Sequence, residues 1–189
     1  MNYLKYVFVF FIFYSCTKEI TTLDEYSKIP VKFAKERITS PSKDFSIIIP
    51  KNWKWKEEKY EDKQVISGID IGNYDSISKF TKIISIYKCK SLEENKDLET
   101  EFQTVLKNSK KNKLIPEVVE SGKTKILKYE SYFIHAKSDN EKSIEMISFI
   151  IKSKESGIFY LISASCHNQD NLKTNMGMMI DCIQTFKFL

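Results

Sequence analysis

The sequence predicts an α+β fold, an antiparallel sheet of about six strands covered by helices, in an α/β/α sandwich. Three observations predict it. Short β-branched and aromatic runs recur from Phe45 onward. The runs at 126–136, 144–151 and 158–166 are separated by the turn-forming groups Ser138, Asp139, Asn140 and Glu155, Ser156, Gly157, which implies an antiparallel meander. Two other segments, 92–108 and 170–185, repeat apolar residues at helical rather than strand spacing.

The chain opens MNYLKYVFVFFIFYSC, with one basic residue, Lys5, before an apolar run that ends at Ser15 and Cys16. The run is shorter than the roughly 20 residues a membrane-spanning helix needs, and fits the core of an export signal. It resembles a bacterial lipoprotein signal. That resemblance implies removal of residues 1–15 and makes Cys16 a lipid attachment point, carrying acyl chains such as palmitate. Phe13 and Tyr14 are bulkier than such signals usually carry, which leaves an uncleaved anchor or an ordinary signal cut elsewhere as alternatives. Thr17 stands where an aspartate resembles an inner-membrane retention signal, so the outer membrane is the expected location.

Residues 16–44 read as the lipidated cysteine and a polar tether, with Pro30, Pro41 and room for one short helix near 31–37. A flexible chain of about 28 residues has an end-to-end distance of roughly 30 Å. A single domain is expected over 45–189. Its first strand, 45–49, is stopped by Pro50, which has no backbone donor. Strands at 65–71 and 83–89 follow, the second apolar on both faces. Ser91 and Glu94 have capping-box spacing ahead of the stripe Leu98, Phe102, Val105 and Leu106, predicting a helix over 92–108. Strand 144–151 alternates Ile144, Met146 and Ile150 with Ile147, Phe149 and Ile151, so it should be covered on both sides. The last helix carries Leu172, Met176, Met179, Ile180 and Ile183 on one stripe, with Asn168 or Asp170 as its cap.

A formal charge of +5, balanced between 30 basic and 25 acidic residues, gives no nucleic-acid footprint. Lys107, Lys110, Lys111 and Lys113 read as the solvated carboxyl end of a helix, where cations suit the dipole. Once Cys16 is reserved for lipid, Cys89, Cys166 and Cys182 remain. Their odd number excludes a simple disulfide framework, and their spacing is unlike a zinc site. Cys89 with Cys166 is a conceivable pair, because each ends a strand that leads into a helix. Three free thiols is the other reading.

The segment from Asp44 to Trp53, DFSIIIPKNW, resembles the opening strand of Mog1/PsbP-like proteins, and the closing YLISASC, helix and IQTFKF resemble their end. The likeness spans residues 45–189 in element order. It implies their α/β/α sandwich and, for function, a protein that binds or assembles with others.

Catalytic chemistry has little support in the sequence. Gly-x-Ser-x-Gly, a phosphate-cradling glycine loop and a His-Glu-x-x-His helix are all absent. Cys166, His167 and Asp170 form the best catalytic suspect, but neighbours in a strand point to opposite faces. His135, alternating with Phe133, reads as a packed or rim histidine, and Asp70 and Asp75 as solvated residues flanking a glycine turn. No catalytic residue, metal ligand or cofactor is assigned. The expectation is a non-enzymatic envelope lipoprotein held to the membrane through Cys16, with Trp53 and Trp55 as a surface for an envelope protein partner. The alternatives are a small-molecule or lipid carrier, its pocket between sheet and helix lined by Phe102, Met176 or Met179, and an immunity-type lipoprotein.

Overall fold

Strand pairing follows the predicted meander. In the computed structural model the described residues are 21–58, 62–75, 79–94, 97–111, 117–138, 144–167 and 171–189. The elements run α1 (Leu23–Ser27), β1 (Lys35–Thr39), β2 (Phe45–Pro50), β3 (Lys54–Glu58), β4 (Val65–Asp75), β5 (Lys79–Lys90), α2 (Leu98–Lys111), β6 (Glu117–Thr124), β7 (Ser131–Lys137), β8 (Ile144–Lys152), β9 (Ile158–His167), α3 (Leu172–Gln184) and β10 (Lys187–Phe188). Seven strands form one antiparallel sheet in the order β3-β4-β5-β9-β8-β7-β6, and a small second sheet has the order β1-β2-β10. The architecture is α+β, as the sequence predicts, with seven strands in the main sheet where about six are expected and a small three-stranded sheet besides.

Alternation along the central strands decides the layers. Ile84 and Ile86 of β5, Ile147, Phe149 and Ile151 of β8, and Ile162 and Ala164 of β9 all face one side. There they meet Met176, Met179, Ile180 and Ile183 of α3 in one buried cluster. On the other face Leu98 and Phe102 of α2 bury against Tyr132, Ile134, Ala136, Ile150 and Phe159. Strand β8 therefore contributes to both cores. Each fully buried Ile, Phe or Met side chain among these contributes roughly 1.5–3 kcal/mol. Met176 and Met179 are fully buried.

The amino-terminal part departs from expectation. Residues 21–44 do not act as a polar tether, because Leu23 and Tyr26 of α1 are buried in the main core and β1 pairs with β2 along its length. The short helix lies at Leu23–Ser27, not near 31–37. Thr22 and Glu25 make a reciprocal capping box: Glu25 Oε2 accepts from the Thr22 amide at 2.7 Å, and Thr22 Oγ1 from the Glu25 amide at 3.3 Å. Ile29 closes against α3, where a Cβ built on Gly177 would stand 2.8 Å from the Ile29 Cβ.

Three further corrections are local. Helix α2 starts at Leu98, not 92, and Asp97 accepts the Thr100 amide at 2.9 Å where Ser91 and Glu94 were expected to cap. Asn171 precedes α3 with no side-chain cap, while the predicted caps Asn168 and Asp170 lie outside the described residues. Asp70 sits mid-strand in β4, not beside a turn, and accepts Ser85 Oγ at 2.6 Å. Burial pushes its carboxyl up, the Ser85 bond opposing that.

Candidate functional site

Helix α2 packs on β6, β7 and β8. Beside it, over the ends of β5 and β9, a groove of about 260 Å³ opens on the same face of the sheet. Its walls include Val65, Leu92, Val105, Ile150, Phe159 and Leu161, with Asp62, Gln64, Lys90 and Asn108 among the polar groups. The sequence explains the opening: the loop before α2 leaves Leu92 42% exposed, so the helix reaches the sheet only from Leu98 onward. Glu101 fixes this loop from a buried position, its Oε2 accepting from Ser91 Oγ at 2.8 Å and from the Leu92 amide at 3.0 Å. Cys89 also lines the groove, and burial pushes its thiol up to about 11, away from the reactive thiolate form. An apolar slot with a few polar groups can bind an apolar segment and orient it.

On the opposite face lies a buried polar relay. His135 is fully buried, with Nδ1 3.1 Å from Glu120 Oε1 and Nε2 2.8 Å from Glu145 Oε1. Tyr26 Oη donates to the same Glu145 oxygen at 2.6 Å, and the Leu23 amide donates to the same Glu120 oxygen at 2.5 Å. Each carboxylate thus holds one donor from α1 and faces one nitrogen of His135. Burial would raise the Glu145 carboxyl, but the hydrogen bonds from His135 and Tyr26 hold it below its ordinary value. Burial, followed by the Glu145 bond, raises the Tyr26 phenol. Glu120 reaches His135 because β6 carries a register shift between Val118 and Glu120.

The residues singled out from sequence fall as follows. Cys16 lies outside the described residues. Trp53 does not present a partner surface, since it is 9% exposed and belongs to the main core, whereas Trp55 on the edge strand β3 is 40% exposed. Phe102, Met176 and Met179 do not line the groove: Phe102 stacks on Tyr132 with ring centroids 4.7 Å apart, and the methionines lie under α3 on the other face. Cys89 and Cys166 cannot pair. Cys166 stands opposite Lys82 and Cys89 opposite Phe159, at the two ends of the β5-β9 ladder. At about 3.4 Å per residue they are on the order of 24 Å apart. Cys166 is buried, its thiol donates to the His167 carbonyl at 3.3 Å, and burial pushes it up to about 11; Asp170 lies outside the described residues. Among the described residues no group of three or more His, Cys, Asp or Glu is arranged to hold a metal ion. No described helix is long and apolar enough to cross a membrane.

The same arrangement of layers occurs in solved structures. PsbP (CyanoP) of the cyanobacterium Synechocystis superposes with a TM-score of 0.59 at 12% identity, covering 84% of this chain and 95% of that one. The Ran-binding protein Mog1p of Saccharomyces cerevisiae gives 0.55 at 7% identity, over 82% and 96%. The fold is Mog1/PsbP-like. LpqN of Mycobacterium tuberculosis, described as involved in cell envelope biogenesis, shares this Mog1/PsbP-like fold with a TM-score of 0.51 at 12% identity, over 88% and 96%. No family model and no curated protein sequence matches the chain.

Sequence reasoning allowed a pocket between sheet and helix but named none of the groove's lining, and it missed the relay. The relay had a signal. Period-two alternation puts Glu145 on the same face as Ile147 and Phe149, and His135 beside Phe133, so two ionisable residues stand at apolar positions. Thr22 and Glu25 likewise have capping-box spacing. The groove had none, because it depends on where α2 starts.

Proposed function

We propose that this protein is a non-enzymatic lipoprotein of the bacterial cell envelope, tethered through lipid on Cys16, that acts as a binding or assembly module. The carrying observation is the groove beside α2, apolar along its walls and polar at several points. Its occupant is an apolar segment of an envelope protein partner. The lipoprotein-like segment from Met1 to Cys16 supports the envelope location, with the outer membrane favoured over the inner. The fold shared with Ran-binding Mog1p and with the envelope biogenesis protein LpqN supports a role in binding rather than chemistry. The raised thiols of Cys89 and Cys166 support the same reading, since neither is poised as a nucleophile.

The volume of the groove favours one second reading, a carrier of a small apolar molecule or lipid. About 260 Å³ is near the lower end of small-ligand sites. Immunity toward a neighbour's toxin is a variant of the first reading, in which the partner is that toxin. A photo-crosslinking amino acid at position 105, in cells of the natural host, separates these readings. A recurrent envelope protein adduct supports the binding module. A low-mass apolar adduct supports the carrier, and the absence of any adduct across growth conditions overturns both. Mass analysis of the native amino terminus, with Cys16→Ser as control, tests the anchor.

A further inference from the structure

A five-residue helix does not hold its shape alone, because the cost of nucleation exceeds what one turn returns. Helix α1 must be kept in place by what it touches. Two kinds of contact do so: the apolar side chains of Leu23 and Tyr26, and the two hydrogen bonds that α1 donates to Glu120 and Glu145. Both bonds end on carboxylate oxygens that His135 also faces. Hydrogen bonds to charged acceptors are about twice as strong as neutral ones, so the hold on α1 depends on the charge of these acceptors.

We propose that α1 is a detachable strap, clipped to the sheet by the Glu120, His135 and Glu145 relay while Glu145 is charged and let go when it is protonated. The groups around the relay come from every neighbouring element. Glu120 belongs to β6, His135 and Lys137 to β7, Glu145 to β8, and Tyr26 to α1. Cys166 of β9 lies close enough to Tyr26 and Glu145 to interact, and Lys82 of β5 close enough to Cys166. From α3, Asn175 accepts Lys82 Nζ at 3.3 Å. Lys137 favours the charged form of Glu145. Because the folded state holds Glu145 below its ordinary value, its contribution is complete above about pH 4.5 and is lost as pH falls through the lowered value. A protonated carboxyl is a poorer acceptor for Tyr26 Oη. Release exposes the side of α3 at Gly177 that Ile29 covers.

Amide hydrogen exchange on the full chain, corrected for intrinsic rates, tests this. The amides of Tyr26, Lys28 and Ile29, bonded within and just after α1, report the strap. Amides of β5 and β9 report the sheet. Between about pH 7 and pH 3, strap protection should fall by about tenfold or more while sheet protection persists. At pH 7, Tyr26→Phe and Glu145→Gln should each lower strap protection by about tenfold and leave β5 and β9 unchanged. In Glu145→Gln the acid response should shrink. Strap protection that is constant with pH overturns the proposal. So does strap protection that falls only together with that of the sheet, in acid or in either variant.

Discussion

His135 Nε2 lies 2.8 Å from Glu145 Oε1 in a pair that spans β7 and β8 and has no water-exposed edge on the imidazole. Removing the imidazole leaves Glu145 with the Tyr26 hydroxyl and Glu120 with the Leu23 amide, each short of one buried hydrogen bond. His135→Ala should therefore destabilise the fold by about 2–4 kcal/mol, through the vacated volume and the lost buried hydrogen bonds together. Urea unfolding of His135→Ala against His135→Phe measures it. If both variants lose less than about 1 kcal/mol, the pair carries no weight in the fold.

Asp44 predicts acid behaviour on a different element. Burial would raise its carboxyl, but the hydroxyls of Ser40, Ser42 and Tyr160, each 2.6–2.7 Å away, hold it at about 2. Since the folded value lies below the unfolded one, its stabilisation is present above about pH 4 and disappears as pH falls toward 2. It amounts to about 2 kcal/mol at neutral pH. Asp44→Asn should remove that stability at pH 7 and flatten the stability profile between about pH 4 and 2. An unchanged slope in chemical denaturation across that window would contradict this.

Gly177 leaves no room for a side chain. Its absent Cβ would meet Ile29 Cβ, an atom fixed to the backbone, at 2.8 Å. Gly177→Ala should lower stability by about 1–3 kcal/mol, despite the roughly 1 kcal/mol gain in helix propensity. The thermal midpoint should fall, and Ile29→Gly in the same chain should restore part of it. A raised midpoint would mean that Ile29 moves aside freely.

Thiol chemistry separates the three internal cysteines from Cys16. Burial pushes Cys89 and Cys166 up to about 11 and Cys182 up to about 12. Against Ellman's reagent at neutral pH, Cys166 and Cys182 should be silent in the native protein and Cys89 slow. In urea the protein purified from its host envelope should show about three titratable thiols, because acylation removes the fourth. Four thiols under those conditions would remove the lipid anchor from the reading.

Val105→Trp should fill the groove beside α2. Binding of the proposed partner should fall by tenfold or more, while denaturant stability changes by less than about 1 kcal/mol. Undiminished crosslinking to the partner from Leu92 in that variant would place the contact elsewhere.

How far the fold could be read from the residues depends on burial. Strands β5, β8 and β9 lie in the middle of the sheet, so both faces are apolar and their runs are unmistakable. Helix α3 carries a complete stripe for the same reason. Strand β6 escaped detection because it is an edge strand, half exposed, with Glu, Ser, Gly and Lys where a central strand would have Ile. Strand β1 is paired on one side only, and most of its residues are exposed. The relay was harder still. His135, Glu120 and Glu145 meet only if β6 shifts register by its bulge and α1 folds back across both neighbours. Period-two reading marks Glu145 as out of place but cannot name Tyr26 as its partner, 119 positions away.

The docked α1 also changes the geography of the molecule. If Cys16 carries lipid as proposed, only about six residues precede the Thr22 cap, a span of at most about 20 Å. The domain then travels with the bilayer surface as a raft rather than as a float on a long line. Its search for a partner is confined to a thin layer, which raises the effective concentration of anything else anchored there. On that anchor, an encounter that would be rare in the open compartment would become frequent between neighbours in the same leaflet.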